Sequence, residues 1–312
     1  MEFKRKDILD IEDLSCEEIN FILDTAESMK EISTRDIKKV PALRGKTIVH
    51  FFHEPSTRTR TSFEIAAKRL SADTVSVSAS GSSMVKGESL IDTAKNLEAM
   101  NPDVIVIRHQ SSGSPHLIAQ RIHPCVINAG DGAHSHPTQA LLDLMTVREK
   151  KRTLEGLEIV IIGDIAHSRV ARSNILAFNK MGANVTVSGP PTMIPLAIQT
   201  MPVRVTYNMK DALLNADIVM ALRIQKERIS DFLYPSDREY ARFFCLDSKA
   251  LSYAKPDVMI MHPGPINRGV EISPEIADSP RSVILSQVEN GVAIRMALLY
   301  LLIGGSYRAS DH

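Results

Sequence analysis

The chain has 312 residues, 44% hydrophobic and 24% charged, with 37 basic residues against 37 acidic ones. That length predicts two domains, and the composition is that of an ordinary soluble globular protein rather than a disordered or membrane one. The charge balance argues against a nucleic-acid-binding surface, although it leaves room for a local basic pocket. Cys16, Cys125 and Cys245 lie far apart with no paired spacing, so neither a disulfide framework nor a zinc knuckle is expected, and a reducing compartment fits. The opening stretch MEFKRKDILDIEDL lacks the apolar segment of a signal peptide, and no run approaches the roughly 18 apolar residues of a membrane span. A cytoplasmic protein away from membranes is the expectation.

Short β-like runs alternate with helical stretches, the pattern of an α/β fold with parallel sheets. Strands are expected at Thr47–Phe52, 104–108 and 125–128. Phe63, Ala66, Ala67 and Leu70 share one helix face, and 139–147 reads as a further helix. The charged stretch REKKRTLEG, 148–156, interrupts the pattern and marks a boundary, so 1–150 is expected as one domain. The next stretch, from LEIVIIGD onward, reads as strand, turn, helix and strand, with Ala171, Ile175 and Phe178 on one helix face and Gly182 as its stop. Strands follow at 218–222 and 258–261, and the apolar stretch 288–303 reads as a final helix. No internal repeat or low-complexity segment is evident.

The stretch HFFHEPSTRTRTSFE, from His50 to Glu64, packs Ser-Thr-Arg-Thr-Arg between a strand and a helix. Ser56–Thr59 should therefore stand at a strand's carboxyl end and a helix's start. Open backbone N–H groups and the helix dipole favour an anion there, Ser56, Thr57 and Thr59 add hydroxyl donors, and Arg58 offers a guanidinium fork. A single Ser or Arg would read more simply as a cap or a solvated charge; five such residues in a row favour a phosphate site. It is not a nucleotide loop, since no G-x-x-x-x-G-K-[ST] occurs and GDIAHS at Gly163 has one glycine where a dinucleotide fingerprint has three. The phosphate should belong to something small.

Together with HPTQALLD at His136–Asp143 and HPGPINRGVEI at His262–Ile272, this stretch resembles the aspartate and ornithine carbamoyltransferases over nearly the whole chain. SMVKGES at Ser83–Ser89 and ALRIQKER at Ala221–Arg228 look like the aspartate-specific members. The resemblance implies two α/β domains, each a parallel-sheet sandwich: 1–150 for carbamoyl phosphate and 151–286 for L-aspartate, with 287–312 a helix returning to the first, so that the terminal helices pack there. It implies transfer of the carbamoyl group to the aspartate amine in de novo pyrimidine synthesis, without a cofactor. It further implies a homotrimer in which Lys86 and Ser82 or Ser83 reach a neighbouring subunit's site, and it leaves open a regulatory chain or a dihydroorotase as further partners.

By the same resemblance, Ser56, Thr57, Arg58, Thr59, Arg108, His136, Gln139 and Ser82 bind carbamoyl phosphate, with Arg58, Thr59, Lys86, Arg108 and His136 catalytic. Thr59, Arg108 and His136 would face the carbonyl oxygen where negative charge builds. Lys86, Arg169, Arg223 and Gln225 would hold the acceptor's carboxylates, and backbone carbonyls around Gly264 and Pro265 its amino group. The residues themselves agree in part: Arg108 follows the strand DVIVI, Arg169 the strand IVIIGD and Arg223 the strand DIVMAL, and ligands gather at such carboxyl ends. His136 with Pro137 suits a helix start, and Gln139 lies three residues on. His134 makes an H-x-H pair with His136, but no carboxylate or cysteine has matching spacing, so no metal is expected. Arg268 is a weaker candidate for the carboxylates.

Two positions depart from the enterobacterial form of the motif: Val170 stands where that form has threonine and Gly264 where it has leucine. An ornithine-type enzyme would carry a cysteine at 263 or 264 and an S-M-G motif, and neither is present. A non-catalytic anion binder is disfavoured by the intact set Thr59, Lys86, Arg108, His136 and Arg169. A nicotinamide-dependent oxidoreductase is disfavoured by the missing glycines.

Overall fold

The computed structural model describes residues 2–78, 88–224 and 233–304. The chain divides into two compact units, Met1–Leu142 with Glu289–His312, and Asp143–Val288. No helix among the described residues is long and apolar enough to cross a membrane.

The first unit is built on a parallel sheet of β1 (Thr47–Phe52), β2 (Asp73–Ser78), β3 (Val104–His109) and β4 (Cys125–Asp131), in the order β2-β1-β3-β4. Its inner strands are almost continuously buried, as expected where crossover helices cover both faces of a sheet. Those helices are α1 (Cys16–Ile32), α2 (Thr57–Arg69), α3 (Leu90–Glu98) and α4 (Ser114–Ala119). Val49, Phe51, Ala94, Leu97, Ile105 and Ile118 form one layer of core between sheet and helices. The N-terminal helix α1 begins at a capping box, Ser15 with Glu18, and buries Ile19, Ile22, Leu23 and Ala26 on one stripe. The chain leaves this unit within α5 (Pro137–Lys151).

The second unit carries β5 (Glu158–Ile162), β6 (Asn184–Ser188), β7 (Arg204–Thr206), β8 (Ile218–Ala221) and β9 (Met259–Met261), all parallel, in the order β7-β6-β5-β8-β9. Its helices are α6 (Arg169–Lys180), α7 (Met209–Leu213), α8 (Asp237–Phe244), α9 (Ser248–Leu251) and α10 (Pro274–Ala277), and the chain returns to the first unit within α11 (Ile284–Leu299). This last helix starts before the expected 288, because Ser286 and Gln287 are polar and hid its first turn from an apolar reading.

The two units repeat one topology that the sequence does not reveal. In each, the first strand is flanked by the second on one side and by a later strand on the other. In each, an aspartate at the amino end of that later strand braces the first: Asp103 accepts from Thr47 N (2.8 Å) and Lys46 Nζ (2.8 Å), Asp217 from Glu158 N (3.0 Å) and Lys255 Nζ (2.8 Å). The lysine precedes the first strand in one unit and the last strand in the other, so the brace is shared while the spacing is not.

One core residue makes stability depend on pH. His50, in the middle of β1, is 0% exposed, and neither ring nitrogen finds a hydrogen-bond partner among the described residues. Burial lowers its pKa to about 4. Below the ordinary value near 6.5 the unfolded chain takes up a proton that the folded chain refuses, so stability is lost as pH falls from about 6.5 toward 4. Between pH 7 and pH 5 this one group is expected to cost about 2 kcal/mol. Urea midpoints of the parent and His50→Leu at both pH values check it; an equal drop in the two proteins would rule the assignment out.

Candidate active site

In an open parallel sheet, ligands bind beyond the carboxyl ends of the strands, where neighbouring strands lead their connections away in opposite directions. That reversal falls between β1 and β3 in the first unit and between β5 and β8 in the second.

Beyond β1, His53, Glu54 and Pro55 lead to Ser56, the residue that opens α2. Among the described residues, five longer helices begin with serine at this position. In α1, α3, α6 and α8 the serine hydroxyl accepts from a first-turn N–H, whereas Ser56 makes no such bond and no acidic residue stands in the first turn of α2. The amides and hydroxyls of Ser56, Thr57 and Thr59 are thereby left for an anion. Thr57 and Arg58 are exposed, and Thr59 is buried against the sheet end.

Arg108 lies beside Phe52 in the β1–β3 register, at a point where the β3–β4 pairing slips between Ile107 and His109. Such an irregularity re-aims a side chain. Its guanidinium, mostly buried, donates to Glu54 Oε1 (2.8 Å) and to Ala129 O (3.3 Å). The next residue, His109, stacks on His53 with ring centroids 4.5 Å apart, and its pKa is lowered by burial first and by His53 second. Its Nδ1 accepts from Ser111 N (2.9 Å), so the proton of the neutral ring sits on Nε2. His136 and Gln139, both buried, sit where β4 leads into α5, and Gln139 N donates to His136 O (3.0 Å). His134 lies between Asp131 Oδ2 (3.0 Å) and Asp10 Oδ2 (3.4 Å). Ser56, Thr57, Arg58, Thr59, Arg108, His136 and Gln139 therefore share one rim of one sheet, while Ser82 and Lys86 lie outside the described residues.

In the second unit Gly163 directly follows β5 with φ of +132°, and an added Cβ would stand 3.0 Å from Leu222 Cβ. Only glycine allows the β5 turn to press so closely on the segment that carries Arg223. Arg169 opens α6 beside its capping serine and is 3% exposed; Arg223, half-buried, follows β8. Both thus sit at the reversal between β5 and β8, and Gln225 falls outside the described residues.

Beyond β9 comes the proline turn, with Gly264 at φ +64° and a cis Gly264–Pro265 bond. His262 organises it. Gly264 N donates to His262 Nδ1 (2.8 Å), which leaves the ring proton on Nε2 for Glu271 Oε1 (3.1 Å), and Asn267 N donates to the same oxygen (2.6 Å). Asn267 Nδ2 reaches Ile224 O (3.4 Å), tying the turn to the Arg223 segment. Arg268 does not point its fork at this rim: it is exposed and donates to both oxygens of Asp278 at 2.7 Å.

Sequence reasoning missed Glu54, the carboxylate that holds Arg108. The signal was present as an acidic residue directly before the hydroxyl-arginine cluster. It also missed the wiring of His262, which depends on partners distant in sequence.

The sequence matches two family descriptions: aspartate/ornithine carbamoyltransferase, carbamoyl-P binding domain, over residues 6–149, and aspartate/ornithine carbamoyltransferase, Asp/Orn binding domain, over residues 155–302. It is 65% identical over 306 residues to the aspartate carbamoyltransferase catalytic subunit of Syntrophus aciditrophicus, covering 98% of this chain and 100% of that one. Among solved structures, ornithine carbamoyltransferase from Pyrococcus furiosus aligns with a TM-score of 0.87 at 31% identity, covering 98% of this chain and 99% of that one. Aspartate transcarbamoylase from Trypanosoma cruzi, in complex with carbamoyl phosphate and aspartate, also aligns at 0.87, at 28% identity with 96% and 97% covered. With both halves of the sequence matched and a fold shared from end to end, this chain belongs to the aspartate/ornithine carbamoyltransferase family.

Proposed function

We propose that the chain transfers the carbamoyl group of carbamoyl phosphate to the amino group of L-aspartate, giving N-carbamoyl-L-aspartate and phosphate, an early step of de novo pyrimidine biosynthesis. The observation that carries the reading is a cationic, donor-rich cluster at each of the two sheet reversals: Ser56 to Thr59 with Arg108 at one, Arg169 with Arg223 at the other. The first suits a phosphoryl group and the second a dicarboxylate. The fold by itself does not choose the acceptor, because an ornithine enzyme shares it equally well. Aspartate is favoured by the full-length identity to aspartate carbamoyltransferase catalytic subunits and by two arginines where a dicarboxylate needs fixed cations.

In this reading Arg58, Ser56 and Thr57 hold the phosphate, Gln139 the carbamoyl amide, and Ser82 joins them. Thr59, Arg108 and His136 stabilise the carbonyl oxygen as the amine attacks carbon, a C–N bond forms, the bond from carbon to the phosphate oxygen breaks, and phosphate departs with the amine's proton. Arg169, Arg223, Gln225 and Lys86 engage the carboxylates, while carbonyls around Gly264 and Pro265 accept from the amine and aim its lone pair. No protein group is assigned as nucleophile or base, since orientation of two bound reactants supplies much of the acceleration. Phosphate release compared across L-aspartate, ornithine and putrescine tests the assignment: aspartate is expected to lead by orders of magnitude, and an ornithine preference would end it.

We also propose a cytoplasmic homotrimer whose sites take Lys86 and Ser82 from a neighbouring subunit. Support comes from β2, an edge strand of the first sheet, where Val75 is 51% exposed, and from the position of Lys86 shortly after that strand. Free thiols at Cys16, Cys125 and Cys245 fit a reducing setting. Mixing inactive Lys86→Ala and Arg58→Ala chains is expected to restore a measurable fraction of parent activity through hybrid sites; mixed trimers without any recovery would exclude sharing.

A further inference from the structure

A buried hydrogen-bond chain runs from helix α5 to the first residue of the proline turn. Asp143, 0% exposed, accepts from Asn174 Nδ2 of α6 (2.8 Å) and from Gln287 Nε2 of α11 (2.7 Å). Gln287 Oε1 in turn accepts from His262 N (2.9 Å). The orientation of the Gln287 amide is fixed by chemistry: a backbone N–H can only donate, so the oxygen must face His262 and the NH2 must face the carboxylate.

A carboxylate removed from water is costly unless paired, and apolar residues would pack the same helices at no such cost. Asn174 Nδ2 also lies 3.5 Å from Met220 Sδ on β8. The end at the proline turn is the informative one, for it is the amide of His262. From there the His262 ring sets Gly264 N, and Glu271 gathers the ring and Asn267 N on a single oxygen. Position is therefore passed from three helices through one side-chain amide to the carbonyls of the turn.

We propose that Gln287, backed by Asp143, is a positioning residue for the acceptor's amino group. It holds the His262–Pro265 turn so that its carbonyls meet the amine, and this rests on the function proposed above. Helix α6, which carries Arg169, is also seated by its buried Ala171, Ile175 and Phe178. The effect should fall on the amine more than on the carboxylates.

The test uses full-length protein. Gln287→Glu keeps the acceptor facing His262 but sets a carboxylate against Asp143. It is expected to raise KM for L-aspartate at least about tenfold, with KM for carbamoyl phosphate within about twofold. Inhibition by succinate, which has both carboxylates and no amine, should weaken less than about threefold. Adding Asp143→Asn restores a donor opposite the new carboxylate, and the double variant is expected to return to within about threefold of the parent. Gln287→Met, which removes both hydrogen bonds at similar volume, should reproduce the aspartate-selective rise if Gln287→Glu does not fold. Equal shifts for both substrates, equal weakening of succinate, a parent-like aspartate KM in Gln287→Met, or a folded double variant without recovery would each overturn the proposal. A parent with no aspartate activity would instead bring down the functional reading, and this inference with it.

Discussion

Arg58→Ala is expected to lower kcat/KM for carbamoyl phosphate by about 1,000-fold while the melting temperature stays near that of the parent. Arg58 is exposed on the first turn of α2, so truncation removes no core contact. What it removes is a planar pair of donors at a helix start whose serine hydroxyl makes no capping bond. Loss of one donor to a developing oxyanion commonly costs about 100- to 1,000-fold, and here the lost group also binds the leaving phosphate. Arg58→Lys should recover only part of the deficit, because an ammonium cannot present two parallel N–H groups. Initial rates at saturating aspartate, paired with thermal melts, decide it: a loss under tenfold, or one explained by unfolding, would remove Arg58 from the phosphate site.

Arg223→Ala is expected to act on the other substrate. Truncating one member of a desolvated, hydrogen-bonded charge pair costs about 2–5 kcal/mol. At about 1.4 kcal/mol per tenfold, a midrange loss gives a rise in KM for L-aspartate of about 100-fold or more. KM for carbamoyl phosphate should hold. The substitution leaves Gly163, Leu222 and the β8 register untouched, so the β5 turn keeps its close approach. A parent-like aspartate KM in Arg223→Lys would show that a point charge suffices there and that no bidentate contact is made.

Much of the architecture was legible because parallel strands bury both faces and so write themselves as short apolar runs. β1 was expected at Thr47–Phe52, and β3 and β8 differ from expectation by one residue at one end. Part of what escaped notice escaped for physical reasons. Strand β2, Asp73–Ser78, lies at an edge and alternates polar residues with two valines, so it lacks the buried signature. Helix α1 was announced by Ser15 and Glu18 three residues apart, a local signal that was there to be read. The candidate site divides the same way. Residues proposed for standing at or after a strand's carboxyl end, such as Ser56, Thr59, Arg108, Arg169 and Arg223, do stand there in the fold, though whether they act there is for the experiments above. Residues whose meaning is a partner could not: Arg108 finds Glu54 across two strands, and Gln287 finds Asp143 at a separation of 144 positions. Spacing carries no trace of contacts made by folding.

The aspartate braces at Asp103 and Asp217 have a bearing beyond stability. Each clamps its sheet at the amino rim, the end opposite the loops that carry the proposed chemistry. Mechanical security and substrate choice are therefore written on different edges of the same framework. Loops at the working edge can be exchanged for others without loosening the clamps, which offers a structural route by which one ancestral scaffold could diversify toward amines as unlike as aspartate and ornithine.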